Sequence, residues 1–390
     1  MRNPLNSYIE AVPPSGIRKF FDMVAEMDDP DVLSLGVGEP DFDTPWHIRG
    51  VGINTLTEGK TFYTSNSGLM ELRKEISKYM AKRYDVEYDP ASEVLITVGG
   101  SEGIDACIRA MLDPGDEMII PEPCFVSYKP CAVFAGAKPV VIDLKAENEF
   151  RLTPEELEAA ITPKTKLVLL TYPNNPTGAV MRKEDLEKIA KVIIDHDLFV
   201  LSDEIYSELN YASDGPSTSI ASLPGMRERT VVINGFSKAF AMTGWRMGWA
   251  AGPSTVIKQM MKIHQFAIMC PPTMSQYASI EALRNGLDDV TYMKNEYNGR
   301  RKFLLKRFAE MGIPCFNAQG AFYLFPCIKK FGMSSDEFAE KLLAEQKLAV
   351  VPGSAFGRSG EGFLRISYAY SLKSLEKSMD RIEKFIANHS

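Results

Sequence analysis

The 390-residue sequence has only four histidines and six cysteines, and no two cysteines form a Cys-x-x-Cys pair. That spacing excludes an ordinary zinc site and supplies no disulfide framework, so no metal is expected. Cys107, Cys124, Cys131, Cys270, Cys315 and Cys327 are expected to be reduced and mostly buried. No run approaches the roughly 20 apolar residues of a membrane span, and Met1 to Glu10 is polar without an apolar core. The expectation is a cytoplasmic chain with no membrane partner. Basic runs are absent too: 44 Lys and Arg face 51 Asp and Glu, a net charge of −7, which leaves no electrostatic footprint for nucleic acid. There is neither a Gly-x-Gly-x-x-Gly fingerprint nor a Walker loop to support a nucleotide reading. Repeats, low-complexity tracts and Gly/Ser linkers are also missing. What remains is a globular composition, 45% hydrophobic and 24% charged, long enough for two tightly packed domains that bind small molecules.

Within that frame, short apolar runs alternate with helical stretches. Strands are expected at Glu93 to Val98, Glu117 to Ile120, Lys138 to Asp143, Lys166 to Thr171, Leu198 to Asp203 and Thr230 to Asn234, with helices such as Leu69 to Tyr84 and Arg182 to Asp195. The order predicts an α/β large domain, a mainly parallel sheet flanked by helices, over residues 48–285. Helical periodicity then runs from about Pro253 to Glu310, interrupted at Pro271-Pro272 and broken at Gly286. Strands at Cys315 to Phe325, Leu348 to Pro352 and Phe363 to Tyr368, with helices at Ser335 to Glu345 and Leu372 to Asn388, predict a smaller α+β domain. It is assigned residues 1–47 and 286–390, the first part carrying a helical signal over Gly16 to Val24 and a short strand from Leu33.

Polar motifs gather at the carboxyl ends of the expected strands, where parallel sheets bind ligands. Gly99-Gly100-Ser101-Glu102-Gly103 lies between a strand and a helix and reads as a phosphate cradle, because helix amino-terminal N–H groups bind anions at close approach. Tyr172 to Gly178, Ser202 to Tyr206 and Ser237-Lys238 follow three more strands. Lys238, partly desolvated beside Arg246, would have its neutral amine favoured and could attack a carbonyl carbon. A lone loop lysine is more often simply solvated, and the neighbouring motifs are what favour the chemical reading. The glycines of Leu33 to Phe42 read equally as a site wall or a turn. Arg365, charged within the apolar run Phe363 to Ser367, requires an anion, either a bound carboxylate or a structural ion pair.

Taken in order, Gly38-Glu39-Pro40-Asp41-Phe42, Tyr63, Gly100-Ser101, Asn174-Asn175-Pro176-Thr177-Gly178, Asp203-Glu204-Ile205-Tyr206, Ser237-Lys238, Gly244-Trp245-Arg246-Met247-Gly248 and Arg365 carry a resemblance. The sequence resembles class I/II aminotransferases of the fold-type I, pyridoxal-phosphate-dependent superfamily, in the aspartate aminotransferase group, from Leu5 into the carboxy-terminal helix. The resemblance implies pyridoxal 5′-phosphate as cofactor, amino acid and 2-oxo acid substrates, and a homodimer with shared active sites. Lys238 would form the internal aldimine and move the proton between Cα and C4′. Asp203 would keep the ring nitrogen protonated, with Asn175 and Tyr206 near the 3′-oxygen. Gly100 and Ser101 N–H groups, the Ser237 hydroxyl and Arg246 would hold the phosphate, joined by Tyr63 from the partner subunit. Phe125 matches the ring that stacks on the cofactor, and is equally a core residue. Arg365, helped by the Gly38 N–H and Asn175, would clamp the substrate carboxylate. Asn174-Asn175-Pro176 also satisfies a plain turn.

One departure bears on specificity. Aspartate-specific relatives place a lysine where this chain has Ser101, and no other matched motif supplies a second cation, which leaves room for aromatic or long neutral donors. Ser15 to Phe20 is similar to members acting on aromatic amino acids or N-acetyl-diaminopimelate. Arg18 and Lys19 there either charge the site or form a solvated helix face. An aminotransferase is the leading expectation, with an aspartate, aromatic or N-acetyl-diaminopimelate-like donor. A carbon–sulfur β-lyase on the same fold and a non-catalytic cofactor-binding sensor are the alternatives. The sensor reading is disfavoured because Lys238 is retained and the resemblance starts too early for a fused DNA-binding unit.

Overall fold

The computed structural model describes residues 4–14, 16–17, 27 and 29–389. Twelve strands run in chain order among them: β1 Leu33–Ser34, β2 Val94–Thr97, β3 Glu117–Glu122, β4 Lys138–Asp143, β5 Thr165–Thr171, β6 Phe199–Asp203, β7 Thr230–Gly235, β8 Gly248–Ala251, β9 Tyr323–Leu324, β10 Leu348–Ala349, β11 Val351–Pro352 and β12 Leu364–Ser367. The expected helix over Gly16 to Val24 lies outside the described residues apart from Gly16 and Ile17, as do Arg18 and Lys19.

Seven strands form one sheet in the order β2-β8-β7-β6-β5-β3-β4. The pairings β3–β4, β3–β5, β5–β6 and β6–β7 are parallel, whereas β8 is antiparallel to both β2 and β7. The central strands are continuous apolar runs because both faces are covered: β2, β3 and β7 are buried at every position. The Lys183–Asp195 helix shows how the cover is made. Leu186, Ile189, Ala190 and Ile193 fall on one stripe and are buried against the sheet, while the charged residues face out. The β8 strand escapes the periodicity argument, since Gly248-Trp249-Ala250-Ala251 carries no β-branched residue. It returns from β7 without a crossover helix, which is why it alone is antiparallel.

A second unit is built on the three-stranded antiparallel sheet β11-β12-β9 and the helices Ser335–Gln346 and Leu372–Asn388. Leu342, Ile366, Met379 and Phe385 share its core. The amino-terminal segment joins here, β1 pairing in parallel with β10. Helices Ser254–Ala267, Thr273–Asn285 and Leu287–Glu310 divide the long helical region at Pro271-Pro272 and Gly286, where the sequence places its interruptions.

Three expectations need correction. The strand over Cys315 to Phe325 shrinks to Tyr323–Leu324, because the preceding backbone bonds loops instead: Tyr211 N–H donates to Gln319 O, Gly320 N–H to Gly178 O and Ala321 N–H to Leu209 O. Leu348 to Pro352 is two strands with different partners, β10 on β1 and β11 on β12. All six thiols are free, but only Cys107 and Cys124 are fully buried.

Candidate active site

The carboxyl ends of β5, β6 and β7, the start of the Gly99–Met111 helix and the strand-like segment after β1 enclose a cavity of about 340 Å³. Every expected site residue lines it except Tyr63, which lies on the outer surface and is 81% exposed.

One end suits an anion. The Gly99–Met111 helix has Val98 at its N-cap and no side chain capping its first-turn N–H groups, and Gly100 and Ser101 line the cavity there. Gly99 adopts φ +75°, and a Cβ on it would stand 2.6 Å from Nη2 of Arg246, so only glycine lets the guanidinium settle against the helix start. Arg246 itself is exposed, donates through Nη1 to Thr243 O at 3.0 Å, and makes no carboxylate ion pair among the described residues. A fixed cation beside open helix N–H groups, with the buried Ser237 adjoining, is the donor set a phosphate needs.

At the centre, Lys238 follows β7 and its Nζ donates to the Gly38 carbonyl at 2.6 Å. Burial pulls its pKa down to about 8, Arg365 and then Arg246 adding to the effect and Glu39 and Asp203 opposing it. The supporting cation is thus chiefly Arg365, not the Arg246 expected from sequence proximity. Asp203 ends β6 fully buried; burial raises its pKa, and the Tyr128 hydroxyl at 2.7 Å, the Ile205 N–H at 3.1 Å and the charge of Lys238 resist the rise. A protonated ring nitrogen beside it would restore the ionised form, so the pair is chemically matched to pyridoxal phosphate. Tyr206 stays a phenol, its pKa driven well up by burial.

The far end is built around Arg365. Arg365 on β12 is 3% exposed, with its guanidinium 4.7 Å from the Tyr323 ring centre and 4.9 Å from that of Phe356. It donates to Gly36 O and, at 3.1 Å, to Asn175 Oδ1, while its buried Nε has no partner. No carboxylate pairs with it among the described residues, which rules out the structural ion pair there. The Asn-Pro turn belongs to Asn174, whose Oδ1 accepts from the Thr177 N–H and hydroxyl, so Asn175 is released to face the cavity.

Sequence reasoning missed Tyr128, Tyr323, Thr171, Thr243, Glu39 and the apolar wall of Ile17, Val37, Ile104 and Ile205. The Tyr323 run Ala321-Phe322-Tyr323-Leu324-Phe325 reads as core, and nothing in its pattern marks one ring as a site wall. For Tyr128 the available signal was its position three residues after Phe125, at the first residue of the short helix that follows it.

The family model for aminotransferase class I and II matches residues 30–382. The chain is 48% identical to an aspartate aminotransferase of Pyrococcus abyssi, over 98% of each chain. It is 47% identical to aromatic-amino-acid aminotransferase 2 of Thermococcus litoralis, again over 98% of each. The structure superposes on an aromatic aminotransferase from Pyrococcus horikoshii with a TM-score of 0.90 at 45% identity, covering 95% of this chain and 99% of that one. With cavity, donor set and relatives in agreement, the chain belongs to the aminotransferase class I and II family of fold-type I, pyridoxal-phosphate-dependent transferases.

Proposed function

We propose that the enzyme moves an amino group between an L-amino acid with a large neutral or aromatic side chain and a 2-oxo acid, with Lys238 as the covalent attachment point of the cofactor. Bound pyridoxal phosphate supplies an aldehyde that a neutral amine can attack and a ring that takes up the electrons released at Cα. The chain's own groups divide the remaining work. Gly100, Ser101, Ser237 and Arg246 hold the phosphate, Phe125 covers a ring face, and Asp203 keeps the ring nitrogen protonated. Asn175 spends Oδ1 on Arg365, which leaves Nδ2 to donate to the 3′-oxygen beside Tyr206. Arg365 and the Gly38 N–H fix the substrate carboxylate, and Lys238, released as a free amine, moves the proton at Cα.

The observation that carries this reading is a lysine amine tuned to about 8 between a buried aspartate and a buried arginine that has no carboxylate partner among the described residues. The donor class rests on the remaining wall. Lys238, Arg246 and Arg365 are its only Lys or Arg among the described residues, and Ile17, Val37, Ile104 and Phe125 are apolar, with Glu39 as the added charge. None of the described lining residues beyond those three is a cation that could meet a second substrate carboxylate, and Glu39 repels one.

A panel of amino donors at fixed 2-oxoglutarate, followed by the cofactor's visible absorbance, tests both parts. Phenylalanine, tyrosine and methionine are expected to convert the cofactor to its amine form faster than aspartate, and Lys238→Ala is expected to abolish turnover. Pyruvate release from cystathionine without a 2-oxo acid would instead identify a β-lyase, and unchanged turnover in Lys238→Ala would overturn the lysine assignment.

The division into residues 48–285 and residues 1–47 with 286–390 is part of the same proposal, supported by the seven-stranded sheet and the β1–β10 pairing. A homodimer is supported by a patch of exposed apolar residues. Phe62, Tyr63 and Met269 stand out from loops and Phe266 from the last turn of the Ser254–Ala267 helix, with Asn66 Nδ2 donating to Met269 O and Thr273 Oγ1 to Phe62 O. A second copy covering it would carry Tyr63 to the other subunit's phosphate site. Light scattering reads the mass, and Tyr63→Ala is expected to weaken cofactor retention.

A further inference from the structure

Tyr323 is fully buried on β9, and its hydroxyl lies 2.7 Å from the hydroxyl of Tyr206. Three site elements meet on this one side chain. A Cβ on Gly38 would overlap the Tyr323 hydroxyl, the Gly38 carbonyl accepts from Lys238, and the Arg365 guanidinium stacks on the Tyr323 ring.

The direction of the phenol–phenol bond follows from what each oxygen can reach. Tyr206 lines the cavity next to Lys238, whose Nζ is 5.8 Å from the Tyr206 ring centre, so its proton can point to whatever the cavity holds. The Tyr323 hydroxyl has no hydrogen-bond partner other than Tyr206 among the described residues. Both rings line the cavity and either hydroxyl can donate in the bond between them, but a cavity group that accepts the Tyr206 proton leaves Tyr323 as the donor between the two phenols. With an acceptor such as a 3′-oxygen beside Tyr206, Tyr323 is the donor and Tyr206 the acceptor, and the Tyr206 proton is committed to the cavity. The charged groups facing this pair are Arg365, against the Tyr323 ring, and Lys238 and Asp203, near Tyr206. Burial keeps both phenols protonated, and Arg365 makes Tyr323 the more acidic donor.

We propose that Tyr323 is a positioning residue: its hydroxyl aims and polarises Tyr206 toward the cofactor's 3′-oxygen and thereby lowers the proton affinity of the Lys238–cofactor linkage. A hydroxyl that accepts one hydrogen bond donates a stronger one, and a more strongly held 3′-oxygen stabilises the unprotonated linkage. The inference rests on the proposal that the cofactor attaches at Lys238.

The test is a pH titration of the visible absorbance of the holoenzyme, compared for wild type, Tyr323→Phe, Tyr206→Phe and the double variant. Tyr323→Phe is expected to raise proton affinity about two- to fivefold, an upward midpoint shift of about 0.3–0.7 unit. In the Tyr206→Phe background the same change is expected to shift nothing, because the relay is already cut. An unchanged midpoint in Tyr323→Phe, or an equal shift in both backgrounds, overturns the proposal. Should Tyr323→Phe not yield folded holoenzyme, Gly38→Ala displaces the hydroxyl while keeping the tyrosine, and an unshifted midpoint there overturns it equally. A titration midpoint in Lys238→Ala equal to that of the wild type would refute the attachment site and, with it, a relay that acts on that linkage.

Discussion

The Tyr128 hydroxyl donates to Oδ2 of Asp203 at 2.7 Å across the floor of the cavity, joining a helix that begins after Phe125 to the end of β6. Asp203 is buried, and this bond is the first-ranked force holding its carboxyl down against burial. Tyr128→Phe removes it and lets the Asp203 pKa climb, which weakens the protonated ring nitrogen opposite. A hydrogen bond to a charged group contributes about 1.5–3 kcal/mol. The expected result is a fall in kcat of about tenfold or more, with KM for the amino donor little changed, read from steady-state kinetics.

Lys238 sets a second expectation. Its amine titrates at about 8, below the 10.5 of an ordinary lysine. The neutral form is the nucleophile, so the rate of cofactor incorporation into apoprotein should rise with pH up to about 8 and then level off. Arg365 is the largest charge holding the value down, so Arg365→Met should move that midpoint upward, the protonated amine having lost a repelling neighbour. Stopped-flow absorbance across pH 6–10 measures both, and a downward shift in the variant would contradict the electrostatic account.

Donor choice can be altered at one position. Ser101 lines the cavity at the start of the Gly99–Met111 helix and is exposed, so a longer side chain has room. Ser101→Lys places a cation where aspartate-specific relatives have one. It should raise kcat/KM for aspartate relative to phenylalanine by about tenfold, the scale of one partly exposed charge pair. Paired assays on the two donors check it.

A stability prediction comes from Glu204, next to Asp203 but turned away from the cavity. Its Oε1 accepts from Ser202 and Ser219 hydroxyls at 2.9 and 2.7 Å, whereas the buried Oε2 has no partner. Burial, reinforced by Asp203, raises its pKa from 4.5 to about 7. The folded state therefore holds this proton more tightly than the unfolded chain does. The associated stability is complete below pH 4.5 and is lost as pH rises through about 7. Glu204→Gln should stabilise the protein above pH 7 by up to about 3 kcal/mol and bring no gain below pH 4.5. Urea midpoints at pH 4.5 and 8 decide it.

The strands of the large sheet were legible because burial on both faces forces apolar runs bounded by polar motifs, as at Thr230 to Asn234, which the structure extends by one residue to Gly235. Two-residue strands such as β10 and β11 were not, since partner strands rather than local composition create them. The same division holds inside the cavity. Lys238, Asp203, Asn175 and Arg365 stand in motifs whose polarity is out of place locally, and that marks them. Tyr128 and Tyr323 stand among aromatics that suit a core, and their hydroxyls acquire a meaning only from Asp203 and Tyr206, 75 and 117 residues away along the chain.

By itself, then, the order of residues determined the α/β class, the strand ends where chemistry gathers and the identity of the reactive lysine candidate, because each is a local conflict between polarity and burial. Only the tertiary structure decided that Arg365, not Arg246, is the main cation tuning Lys238. It alone showed that Arg365 has no carboxylate partner among the described residues and that Tyr323 stands behind Tyr206. Those are distances between segments far apart in sequence, and electrostatic and hydrogen-bond energies depend on distance in space.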